Sequence, residues 1–176
     1  MQAWHESRLF MLAYRFRGAC VLLLGGAGVL MLWHMRPPVH EHWSLAALLM
    51  GLGLRLWARG HIGLHSRGSR LEAPYRAVGG PYRYFSHPLY LANSLVTLGL
   101  VGAGNSCGEA VLAATPVFFF YTLLGFGERA FLGCVGTLEK RHSIVVKGWS
   151  KEIWSVFPPL LGWLLLTLGF PAWGLR

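Results

Sequence analysis

The chain alternates long apolar blocks with polar connections. Five blocks stand out: Gly18 to Met35, Trp43 to Trp57, Pro88 to Gly104, Glu109 to Phe126, and Trp154 to Phe170. A helix needs roughly 20 mostly apolar residues to cross a hydrocarbon layer of about 30 Å, and these blocks approach that length. The pattern predicts an all-α fold, a polytopic membrane helix bundle with about five transmembrane helices, forming one integral membrane domain over residues 1–176. The second block is short and carries Arg55, which reads as an arginine near a helix end, snorkelling to the headgroups.

The polar connections are unequal. Two are short, MRPPVHEH and GAGNSCG, whereas Ala58 to His87 and Gly127 to Ile153 are long. Of the 16 Lys and Arg, all but Arg36 and Arg176 fall on the face carrying the long connections. By the positive-inside rule that face is cytoplasmic, so the N-terminus is expected inside, the C-terminus outside and the chemistry at the cytoplasmic surface. Omitting the second block would split the basic loops between both faces, so the charge pattern supports five crossings. Arg15 and Arg17 ahead of the first block look like a secretory signal, but no A-x-A site follows, and the block reads as a retained helix.

Composition reinforces the membrane reading, since 54% of residues are hydrophobic and only 13% charged, well below the quarter usual in soluble domains. The net charge of +9 sits between apolar blocks, not on a soluble face. It points to anionic headgroups or an anionic ligand and away from nucleic acid. Cys20, Cys107 and Cys134 are widely spaced and read as packing residues, neither a disulfide framework nor a zinc site. His40, Glu41 and His42 on the Pro-flanked outer loop are misaligned for a shared metal, and no metal site is expected. No G-x-S-x-G, Walker or Rossmann signature is present, which removes the common hydrolase, NTPase and dinucleotide-binding classes.

The stretch GGPYRYFSHPLYLAN, Gly79 to Asn93, carries the most chemistry. Gly79, Gly80 and Pro81 break structure, Pro88 suits a first helical turn, and His87 and Tyr90 then fall within one turn at the membrane surface. Such a pair can hold a polar ligand. The competing reading is an interfacial aromatic belt of Tyr82, Tyr84, Phe85 and Tyr90. Glu128 ends the apolar run VFFFYTLLGFG, and an ionisable group at that depth is either paired, with Arg129 or a basic residue of the facing loop, or functional. The basic, glycine-rich loop Arg59 to Arg70 could approach a ligand closely and bind a phosphate or carboxylate.

The first stretch resembles the G-P-Y-R-Y-x-R-H-P-x-Y signature of the isoprenylcysteine carboxyl methyltransferase and phospholipid methyltransferase superfamily, small multispan enzymes that use S-adenosyl-L-methionine. Gly80, Pro81, Tyr82, Arg83, Tyr84, His87, Pro88 and Tyr90 match, and Ser86 stands where arginine is usual. GERAFLGCVG is similar to the second signature. Glu128, Leu132 and Gly136 match it, whereas Gly127 replaces one acid, Val135 a phenylalanine, and Glu139 and His142 two tyrosines. The fifth block matches neither signature and reads as a peripheral addition.

The resemblance implies methyl transfer to a membrane lipid or lipidated acceptor, an isoprenylcysteine carboxylate or a phospholipid amine. It implies Arg83, His87 and Glu128 as catalytic residues, and Gly60, Gly63, Tyr82, His87, Pro88, Tyr90 and Glu128 as cofactor-binding residues. Arg67 and Arg70 are expected to meet the acceptor, Arg83 or Arg67 the methionine carboxylate, and His61, His65 or His142 to serve an amine acceptor as base. Two other classes share parts of this outline: a multispan membrane reductase using NADPH, and a small transporter or assembly factor. The hallmark of the transporter class, charged residues facing one another in mid-span, is missing from this sequence.

Overall fold

The computed structural model describes residues 8–33, 42–62, 75–77, 79–103, 105–135, 138–140 and 146–169. Six helices dominate these residues: α1 Arg8–Arg15, α2 Arg17–Trp33, α3 His42–Ile62, α4 Pro88–Val101, α5 Cys107–Val135 and α6 Val146–Gly169. Helices α2 to α6 fall on the five apolar blocks, and α1 is an addition. It is short, flanked by arginines and bent 73° from α2.

The expectation of five crossings is met only in part. By length and apolarity, α5 alone qualifies among the described residues, over Cys107–Ala130, and α1 and α2 qualify only if taken together as a broken span. The reasons are physical. The 14 residues of α4 rise only about 21 Å, short of a hydrocarbon layer of about 30 Å, and α3 carries Arg55 and Arg59 within its length. Arg55 is not near a helix end, because α3 continues to Ile62, and its guanidinium donates to Asn93 Oδ1 of α4.

Helix α3 packs most extensively against α4, and α5 joins on the other side of α4. Close approach depends on Gly51 and Gly99. A Cβ on Gly51 would lie 2.8 Å from the Val96 nitrogen, and one on Gly99 2.7 Å from the Leu48 backbone. Small residues at such crossings let helices approach through backbone contacts, the means by which membrane helices associate without a hydrophobic driving force. Helix α6 leans on α3 and α4, with Trp163 Nε1 donating to Ser44 Oγ at 3.2 Å and its outer side, including Trp154 and Leu165, exposed. Phe10, Val117, Tyr121 and Leu124 form the core cluster beside α5. Of the cysteines read as packing residues, Cys20 is half-buried, Cys107 is exposed at the start of α5, and the Cys134 side chain lies outside the described set.

Two three-residue strands, β1 Tyr75–Ala77 and β2 Leu138–Lys140, pair in parallel with Tyr75 opposite Leu138. They bring the two long polar connections together at the end of the bundle where α3 and α5 finish and α4 begins.

Candidate functional site

At that end, the chain enters α4 through a tight turn. Gly80 adopts φ +58°, a conformation favourable only to glycine, and its missing Cβ leaves room for the His61 ring, which would otherwise lie 2.6 Å away. A 3-10 turn, Gly80–Arg83, follows, then His87 as the residue before α4 and Pro88 at its first position. Gly79 to Pro81 therefore break structure as expected, and His87 and Tyr90 occupy one turn, their rings stacked with centroids 5.6 Å apart.

The carboxylate of Glu128 meets this turn from α5. Tyr90 Oη donates to Glu128 Oε1 at 2.7 Å, and His87 Nδ1 lies 3.1 Å from Glu128 Oε2. Glu128 is thus tied to the start of α4, where Arg129 or a facing-loop cation had been the expected partner, and Arg129 itself is exposed. Helix α5 also runs on past Glu128 to Val135, so this acid sits inside the helix and not at its end.

With Nδ1 turned to the carboxylate, His87 presents Nε2 on its other side, and that atom is buried with no partner among the described residues. Gly125 leaves space beside the ring: a Cβ there would stand 3.1 Å from His87 Cδ2. Tyr82 Oη is likewise buried and unpartnered. Burial pushes the Tyr82 phenol above its ordinary pKa, opposed by the nearby Arg59 guanidinium and reinforced by Glu128, so the hydroxyl stays protonated and able to donate.

A polar chain that sequence reasoning missed runs below this cluster. Arg55 donates to Asn93 Oδ1, Asn93 Nδ2 donates to Tyr121 Oη at 3.0 Å, and the Tyr121 ring stacks on Tyr90 at 4.9 Å. The signal was available: Arg55, Asn93 and Tyr121 are polar groups inside apolar blocks, where each needs a partner. An open groove of about 210 Å³ runs along α4 and α5, lined by His87, Tyr90 and Tyr121, with the exposed Phe118, Phe126 and Arg129 at its edge.

Of the residues predicted from sequence, the structure brings together His87, Tyr90 and Glu128, with Pro88 buried beneath them. Gly60 is buried in the last turn of α3. Arg83, Tyr84, Phe85 and Ser86 are exposed, so part of the stretch does have the character of an aromatic belt. His61 turns its Nδ1 toward the Trp57 carbonyl at 2.9 Å. Gly63, His65, Arg67, Arg70, His142 and the side chain of Glu139 lie outside the described residues, as do His40 and Glu41.

Among known protein families, the model described as phospholipid methyltransferase matches residues 40–135, which run from just before α3 to the last residue of α5. No curated protein and no solved structure matches the chain. The matched region contains His87, Tyr90 and Glu128, and the match favours the methyltransferase reading over the reductase and the transporter.

Proposed function

The chain belongs to the phospholipid methyltransferase family, and from that premise we propose that it transfers a methyl group from S-adenosyl-L-methionine to a lipid-like acceptor in the bilayer. The observation that supports this reading best is the convergence of His87, Tyr90 and Glu128 beside two buried polar atoms that lack partners, His87 Nε2 and Tyr82 Oη. Buried polar groups are nearly always satisfied, so two orphans next to one carboxylate suit a polar ligand that completes them.

These residues fit the cofactor. Glu128 suits its ammonium or ribose hydroxyls, His87 Nε2 can accept a hydrogen bond, and Tyr82 can donate one. Pro88, Gly60 and Gly63 shape the approach, and Arg83 or Arg67 answers the methionine carboxylate. The cofactor supplies a methyl already activated on a sulfonium, so this chain's residues have only to align, hold and exclude water, with positioning providing most of the rate. A carboxylate acceptor needs no base. An amine acceptor must give up a proton, and His61, His65 and His142 remain the residues proposed for that role.

The acceptor is proposed to enter from the side. Phe118 and Phe126 are exposed at the lip of the groove, in position for acyl or prenyl chains, and Arg129 stands at its rim. Arg67 and Arg70 are assigned to the anionic headgroup region of the same face. Multiple crossings with this end in the cytoplasm complete the proposal. The pairing of β1 with β2 supports it by placing the two long basic connections together.

The test is reconstitution of the protein in vesicles with methyl-labelled S-adenosyl-L-methionine, one set containing phosphatidylethanolamine and another a prenylated cysteine. Label is expected in the extracted lipid of one set and absent with Glu128→Gln. Absence of label from both sets, together with no binding of S-adenosylhomocysteine, overturns the proposal.

A further inference from the structure

Four hydroxyl-bearing side chains line the groove between α4 and α5, and three of them have their proton engaged within the protein. Tyr90 donates to Glu128 Oε1 at 2.7 Å, Ser94 to the Tyr90 carbonyl at 3.0 Å and Thr122 to the Phe118 carbonyl at 2.8 Å. The fourth, Tyr121, is held the other way round. Arg55 has donors and no acceptor, so Asn93 must present Oδ1 to it. The Asn93 amide nitrogen then faces Tyr121 Oη, 3.0 Å away, and the phenol can only accept from it. The Tyr121 proton is left without a partner among the described residues.

The groove has two chemically different ends. His87 and Arg129 mark the one beside Glu128. Tyr121 lies seven residues earlier on α5, about 10 Å from that level at 1.5 Å per residue. A row of stacked rings joins the two, His87 on Tyr90 at 5.6 Å and Tyr90 on Tyr121 at 4.9 Å. At the depth of Tyr121 the wall is made of Leu91, Ser94 and Phe118, and Arg55 is turned to Asn93 and is not part of it. An ionised group in such a place needs a charge partner, whereas a carbonyl oxygen is answered by one neutral donor.

We infer that Tyr121 is a specificity-determining residue that binds the acceptor lipid below its headgroup, donating to an ester carbonyl of a glycerolipid, and that Arg55 and Asn93 fix the direction of that donor. This rests on the reading of the groove as the entrance for the acceptor. A glycerophospholipid with its amine at the Glu128 end carries its ester carbonyls one headgroup length further in, followed by acyl chains that meet the exposed Phe118. A prenylated cysteine carries hydrocarbon at that distance and leaves the donor unanswered, at the cost of a buried polar group without a partner.

Methyl transfer by the full-length protein in detergent micelles, supplied with diacyl or dialkyl phosphatidylethanolamine, tests this. The dialkyl lipid has ether links in place of both esters and so lacks the carbonyls. For the wild type, its KM is expected to be about three- to tenfold higher than that of the diacyl lipid, the effect of one neutral hydrogen bond, with kcat within about twofold. Tyr121→Phe keeps the ring on Tyr90 and removes only the proton. It should raise the diacyl KM by the same factor and leave the dialkyl KM and the affinity for S-adenosylhomocysteine within about twofold, a selectivity that a general loss of packing does not produce. Equal KM values for the two lipids in the wild type, or an equal rise for both in Tyr121→Phe, overturns the inference while leaving the proposed function intact, as does methylation of a prenylated cysteine alone. A wild-type protein that labels no acceptor and binds no S-adenosylhomocysteine instead sinks the functional reading beneath it.

Discussion

Helix α5 carries two glutamates, Glu109 in its first turn and Glu128 inside its second half, and they are handled in opposite ways. Glu109 is settled locally. Its Oε2 accepts from the Ser106 nitrogen at 3.2 Å and from Ser106 Oγ at 2.8 Å, a reach of three residues that caps the start of the helix where free N–H groups favour an acid. Glu128 is settled by residues far away in sequence: Tyr90 of α4 and His87, the residue before that helix. Around Glu109, Asn105 Nδ2 closes onto the Val101 carbonyl at 2.7 Å. Among the described residues, one buried polar atom at that end, Trp43 Nε1, lacks a partner, whereas around Glu128 two remain open, His87 Nε2 and Tyr82 Oη. A carboxylate satisfied by its own helix turn contributes stability. One held from a neighbouring helix and bordered by unsatisfied groups is, in our proposal, arranged for a ligand.

Three substitutions sharpen this contrast. The largest effect is expected from His87→Ala, which removes both a partner of Glu128 and the open Nε2. S-adenosylhomocysteine binding should weaken ten- to a hundredfold, about 1.5–3 kcal/mol, with the protein still purifying as a folded species. Gly125→Ala should act more mildly, because its methyl at 3.1 Å only nudges the ring. A three- to tenfold loss, about 0.7–1.4 kcal/mol, is expected in the same titration. Smallest is Glu109→Gln at the opposite end. It should leave binding within twofold and lower stability by about 0.5–1 kcal/mol, read as a lower denaturation midpoint. Equal losses of binding from His87→Ala and Glu109→Gln would erase the distinction between the two ends.

Legibility in the sequence followed the same divide between local and distant. The entry to α4 was readable because each part acts on its neighbours: glycines and a proline make the turn, Pro88 starts the helix, and His87 and Tyr90 are three apart. Glu128 stood out as an acid at the end of an apolar run, although its partners could not be named, since Tyr90 lies 38 residues back in α4 and His87 further still. Helix α1 was invisible for a different reason. Eight residues with an arginine at each end look like a polar flank, and only packing onto Gly127 gives Phe10 and Tyr14 their place. The number of crossings is only partly legible, because an apolar block reports hydrophobicity and not helix length, and α4 stops at Val101.

The central claim is that Glu128 and its partners form the cofactor site. Calorimetric titration of S-adenosylhomocysteine into the wild-type protein and into Glu128→Gln tests it most directly. Saturable one-to-one binding in the wild type and an affinity ten- to a hundredfold lower in the folded variant, about 1.5–3 kcal/mol, is the predicted result. Equal affinity in the two proteins would contradict it.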